Sequence, residues 1–183
     1  MRIQIRRGVF ETNSSSTHAI CITKANVNKR DLPNHVTFTH GEFGWENEEY
    51  SDLQSKASYL YQAICCCYDG DERQEKLDNI VELLGKYNIS CDFEPDKDDI
   101  WSGYVDHGYG TVDFVDAVLK DGDKLLRYLF GDSMVITGND NSEGYSDRMY
   151  VNEGEEVTKW GTYTRYGGLK PEFDDYEIYE KGN

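Results

Sequence analysis

The hydrophobic period changes near residue 50, and that change constrains which folds the chain can adopt. Before it, apolar and polar residues alternate, with Ile3 and Ile5 inside 2–6, Ile20 and Ile22 inside 18–23, and Val36 and Phe38 inside 36–39. A period of two puts each pair on one face of a strand, so the chain is expected to start as a small antiparallel sheet. After it, Leu53, Ala57, Leu60, Ile64 and Cys67 recur at helical spacing, and Leu77, Ile80, Val81 and Leu84 form a second stripe. The spacing predicts helices over 51–68 and 72–87. Ser51 with Gln54 would cap the first and Asp71 the second. The connection around Tyr68-Asp69-Gly70 is short, which favours an antiparallel helical hairpin.

Further along, 89–93 reads as a strand, 92–99 as an acidic loop and 103–110 as a Gly- and Tyr-rich loop. Thr111 introduces a short helix to Leu119, broken by Asp121-Gly122, and 123–130 holds a further amphipathic turn or two. Residues 133–137 read as a strand and 138–144 as turns. The last forty residues place Tyr, Trp and Thr in strand-like runs around Gly167-Gly168. No repeat and no clear boundary divides the chain, so the expectation is a single acidic α+β domain over 1–183: an antiparallel sheet with a helical hairpin packed on one face. An aromatic content of 13%, including 14 Tyr, argues for a packed core rather than a disordered chain.

The net charge of −16 is unevenly spread. Residues 1–30 hold six cations, Arg2, Arg6, Arg7, Lys24, Lys29 and Arg30, against Glu11 alone, so this segment carries +5 and the remainder −21. An acidic body of that size attracts basic protein surfaces and repels nucleic acid, while the N-terminal segment does the opposite. Asp92, Glu94, Asp96, Asp98 and Asp99 make the densest acidic stretch and the expected acidic partner surface. No apolar run is long enough to cross a bilayer, and the N-terminus lacks the apolar core of a secretory signal. Five cysteines, three of them adjacent, do not read as a disulfide framework, so the expected compartment is a reducing cytoplasm.

The most distinctive stretch is Arg6-Arg7-Gly8-Val9-Phe10-Glu11-Thr12-Asn13-Ser14-Ser15-Ser16-Thr17-His18. Its small polar run, Thr12 to Thr17, lies between two strand candidates. It has two readings. One is a connection whose Asn and Ser side chains bond nearby backbone. The other is an anion site whose hydroxyls and backbone N–H groups cradle phosphate beside Arg6 and Arg7. The Gly and Lys spacing of a P-loop is absent.

This stretch resembles the N-terminus of a protein family from phages and mobile elements of Gram-positive gut bacteria, one similar to a type II-A anti-CRISPR inhibitor. The match covers about residues 2–22. The resemblance implies a non-enzymatic inhibitor that engages an RNA-guided effector nuclease, double-stranded DNA, or both. An acidic body imitating DNA phosphates would suit the nuclease's basic channel, and the six N-terminal cations would suit DNA. A homodimer is a further expectation, with no heptad or similar signature behind it. The alternative is a small phage enzyme acting on a phosphate-containing substrate through Glu11 to His18.

No metal or cofactor is expected. Glu11, His18, His40, Glu42 and His107 match no zinc spacing, and the acidic stretch lacks the Gly and terminal Glu of an EF-hand. Cys65, Cys66 and Cys67 on a helix point about 100° apart and are expected to pack rather than to converge on an ion. Ser16 and His18 share a strand face, but no acid to orient the imidazole is evident. Tyr104, Tyr109, Tyr145, Tyr150, Trp160, Tyr163 and Tyr166 suit cross-strand packing better than base stacking.

Overall fold

The computed structural model describes residues 16–44, 47–96, 102–106, 108–138, 145–159 and 161–180, and the backbone alone at 4–7, 139 and 181. In chain order the elements begin with strands β1 (Gln4–Arg7), β2 (Ser16–Thr23), β3 (His35–Phe38), β4 (Glu42–Phe43) and β5 (Glu49–Tyr50). Helices α1 (Leu53–Cys67) and α2 (Gly70–Gly85) follow, then β6 (Ser90–Phe93) and β7 (Tyr104–Val105). A 3-10 turn at Gly108–Thr111 leads into α3 (Val112–Lys120) and α4 (Gly122–Phe130). The chain continues as β8 (Met134–Asn139), α5 (Tyr145–Met149), β9 (Tyr150–Thr158), β10 (Gly161–Leu169), a 3-10 turn at Pro171–Phe173 and β11 (Tyr176–Lys181). The fold is α+β.

Strand β2 organises the molecule. It lies between β11 and β8 in an antiparallel four-stranded sheet of order β11-β2-β8-β5. Its alternation has two consequences, because both faces are covered. Ile20 and Ile22 face the helices, in a core with Leu60, Ile64, Ile80, Val115, Leu125 and Val135. Ala19 and Cys21 face the other way, packing with Met134, Ile136, Tyr145, Met149 and Phe173. Burying each large apolar side chain here contributes about 1.5–3 kcal/mol.

Three expectations change at this level. Residues 36–39 do not extend the sheet of β2; β3 pairs in parallel with β6, Val36 opposite Cys91. The described part of the first alternating run does not join it either, since β1 (Gln4–Arg7) pairs with β10 in a separate sheet of order β1-β10-β9. Local alternation identifies a strand but carries no information about its partner. The helix caps also shift. Asp52, not Ser51, caps α1, its carboxylate accepting from Ser55 N at 2.9 Å. The second helix starts at Gly70 after Asp69, and Val81 is 48% exposed while Leu83 takes its place in the core.

Helix α1 runs through the centre, buried on all sides from Lys56 to Ile64. A helix so enclosed must satisfy its polar side chains internally. Lys56 Nζ donates to Gly131 O at 2.9 Å, Ser58 Oγ meets Thr39 Oγ1 at 2.8 Å, and Gln62 Oε1 meets His40 Nδ1 at 3.0 Å. Cys65, Cys66 and Cys67 pack against the same core, as expected of small apolar groups. Among the described residues no helix is long and apolar enough to cross a membrane.

Candidate functional site

The described end of the distinctive motif lies inside the protein. Ser16, Thr17 and His18 are the first residues of β2, and Ser16 and His18 are fully buried. Ser16 Oγ donates to Asp106 O at 2.9 Å and meets His18 Nε2 at 3.1 Å. The other ring nitrogen, Nδ1, meets the Tyr59 hydroxyl at 3.0 Å. Burial pushes the Tyr59 phenol well above its ordinary value, so that hydroxyl keeps its proton. Gly44 closes the far side of the ring: a Cβ there would lie 2.7 Å from Nε2, and its φ of 113° suits glycine alone. Both imidazole nitrogens of the fully buried ring are thus engaged by protein groups. This is a structural relay tying β2 to α1 and to the turn at Asp106.

The other expected site residues separate into distinct places. Arg6 and Arg7 lie on β1, opposite Tyr163 and Thr162 of β10. The side chains of these two arginines, together with Arg2, Glu11, Thr12, Asn13, Ser14 and Ser15, fall outside the described residues. Lys24 Nζ donates to Asp174 O at 2.7 Å in a depression shared with Asp132, Glu172 and Asp175. Lys29 pairs with Asp123 at 2.8 Å and sits 4.9 Å from the Tyr87 ring. Arg30 is exposed. Of the described members of the basic set, Lys24 thus sits among carboxylates and Lys29 is paired with one.

The acidic stretch is also divided. Asp92 is on β6, within 3.4 Å of His35 Nε2, not in a loop. Glu94 caps a bend, accepting from His40 N at 3.0 Å. Asp96 pairs with Arg73 at 2.9 Å, while Asp98 and Asp99 lie outside the described residues. Of the aromatic candidates, Tyr145, Tyr163 and Tyr166 are buried, as packing residues should be, whereas Tyr109 is 80% exposed.

A cleft of about 630 Å³ opens where the α1–α2 corner meets the segment 102–109. Its wall includes His40, Gln62, Cys66, Arg73 and Asp96. Sequence reading weighed His40 as a metal ligand, Cys66 as a packing residue and Asp96 as part of an acidic surface, but did not bring them together, because the wall residues come from four separate segments. Gly103 seals one side, since a Cβ there would lie 2.4 Å from Gly41 O and 2.7 Å from Gln62 Oε1. The Cys65 thiol that lines it is not activated. Burial pushes Cys65 up to about 11 and raises Cys67 as well, the opposite of what a nucleophile needs. Among the described residues no group of three His, Cys, Asp or Glu is placed to hold a metal ion.

Elsewhere the surface charge is one-sided. Lys29, Arg73, Lys76, Lys86, Lys124, Arg148 and Arg165 each lie within ion-pair distance of a carboxylate. Strand β9 is the edge of its sheet and exposes Glu153, Glu155 and Glu156. Comparison with known proteins gives no matching family, no matching curated relative and no matching solved structure.

Proposed function

We propose that this protein is a non-enzymatic inhibitor of bacterial CRISPR immunity, acting in the cytoplasm of a bacterial host by binding an RNA-guided effector nuclease and blocking DNA cleavage. The observation that carries the reading is the outward surplus of carboxylate. Seven described cations are spent on ion pairs within the chain, against a net charge of −16, and exposed carboxylates remain, Glu155 and Glu156 of β9 among them. Such a surface suits a positively charged channel built to hold nucleic acid. The N-terminal motif resemblance supplies the identity of the partner.

A protein partner is favoured over DNA. Lys29 is already paired and Lys24 lies among carboxylates, so contact with double-stranded DNA would fall to Arg2, Arg6, Arg7 and Arg30. The alternative, an enzyme using Glu11 to His18, is weakened by the burial of Ser16 and His18. The test is a plasmid-cleavage titration with the guide-loaded nuclease. The proposal expects protection to saturate near one inhibitor per nuclease and to be independent of preincubation time. Undiminished cleavage at large excess would refute it. Protection that grows with time at substoichiometric amounts would favour the enzyme.

A further inference from the structure

We infer that the cleft between the α1–α2 corner and residues 102–109 is a receptor for a guanidinium group, an arginine side chain presented by the partner protein. The argument starts at His40. Its side chain is 4% exposed, and Nδ1 is held by Gln62 Oε1 at 3.0 Å. Gln62 turns its amide nitrogen toward Cys66 Sγ, so its oxygen faces the ring and the imidazole donates through Nδ1. In that tautomer Nε2 is an acceptor. It makes no hydrogen bond within the protein, although Asp96 Oδ1 lies 3.4 Å away. Two acceptors face each other across the cleft wall with no donor between them. A group bringing several N–H donors in one plane satisfies both, and the guanidinium is the side chain with that geometry.

Charge and shape agree. Among the described lining residues, Asp69, Asp96 and Asp106 stand against one Arg or Lys, Arg73. Each nitrogen of that arginine is engaged: Nη1 donates to Asp96, Nη2 to Cys65 O and Nε to Tyr68 O, at 2.9, 3.3 and 3.2 Å. It braces the wall and leaves the lining with a carboxylate excess. Tyr104 and Tyr109 stand at the same opening, and Tyr109 is one of the few large apolar side chains left exposed. An aromatic face beside carboxylates is a recurrent guanidinium setting. A space of about 630 Å³ holds the side chain and its flanking peptide. The inference rests on the inhibitor reading only for which protein carries the arginine; recognition of the cation does not depend on it.

The experiment is a titration of the full-length protein with Nα-acetyl-arginine methylamide, followed at the His40 ring resonances by NMR, with the citrulline analogue as the neutral isostere. Arginine is expected to move the His40 signals in a saturable way and citrulline to leave them in place. Tyr109→Ala and Asp69→Asn, both at exposed positions, should each weaken binding severalfold without unfolding the chain. An unmoved His40 ring, an equal response to citrulline, or unchanged affinity in both variants would overturn the assignment. The two proposals fail separately. A silent His40 with intact nuclease inhibition removes the cleft alone, and a responsive His40 with no inhibition leaves the guanidinium site standing.

Discussion

Replacing Tyr59 by Phe removes a single oxygen from the centre of the fold and tests whether the end of the motif is structural. The hydroxyl meets His18 Nδ1 at 3.0 Å, and both residues are fully buried. The ring itself stays, with its edge-on packing against Phe43 at 5.2 Å and its contact with Phe114 at 6.1 Å. What is lost is one hydrogen bond, leaving a polar nitrogen buried without that partner, a penalty of about 1–3 kcal/mol. For a chain of this length each kcal/mol moves the midpoint by about 2–4 °C, so Tm should fall by about 2–12 °C. His18→Ala also loses the Ser16 contact and opens a void against Gly44, and should cost about 3 kcal/mol or more. Urea unfolding of both single variants and the double variant gives the coupling, expected to exceed about 0.5 kcal/mol. The folded variants should inhibit the nuclease as well as the native protein does. Unchanged stability in Tyr59→Phe, or lost inhibition at unchanged stability, would refute the structural role.

Burial pushes the Lys56 ammonium down to about 8, partly offset by Asp132 and Asp52. The folded chain therefore sheds this proton before the unfolded chain does, whose lysine titrates near about 10.4, and stability from this group rises between those pH values. The native protein should gain stability relative to Lys56→Met between pH 7.5 and 10 in urea titrations, and a constant difference would contradict this. Asp52→Ala should cost about 0.5–2 kcal/mol by removing the cap of α1. Asp69→Ala should cost less than about 0.5 kcal/mol in the same assay, since that side chain makes no cap hydrogen bond. Burial, reinforced by Glu180 and Glu49, pushes the Cys21 thiol up to about 12. Iodoacetamide at pH 8 should leave Cys21 unmodified in the native protein and label it after denaturation, as read by peptide mass spectrometry.

The sequence made the elements legible wherever one face met the core. Ile20 with Ile22, and Leu60 with Ile64, were readable because their periods follow from the geometry of strand and helix. Pairing was not readable. Nothing in Val36 or Phe38 says that β3 takes β6 as a parallel neighbour, and the partner of β1 lies some 160 residues away in β10. Val81 was misplaced because it borders the apolar stripe of α2 and only Leu83, one turn-edge over, finds a neighbour to pack against. The charge count was right in sum and incomplete in meaning. That Lys29 would meet Asp123 and Arg73 would meet Asp96 depends on contacts between distant segments. The cleft was invisible for the same reason. His40 had no local spacing that tied it to Gln62 or Asp96.

The central claim is that exposed carboxylate, gathered on the edge strand β9, docks this protein onto a basic nucleic-acid channel. Reversing Glu155 and Glu156 to Lys changes only exposed side chains. The most direct measurement is the affinity of that double variant for the guide-loaded nuclease, by biolayer interferometry at two salt concentrations beside the native protein. The account predicts native binding that weakens as salt rises and a variant at least about tenfold weaker at low salt, through loss of complementary charge. Equal affinity for the two proteins, or native binding indifferent to salt, would contradict it.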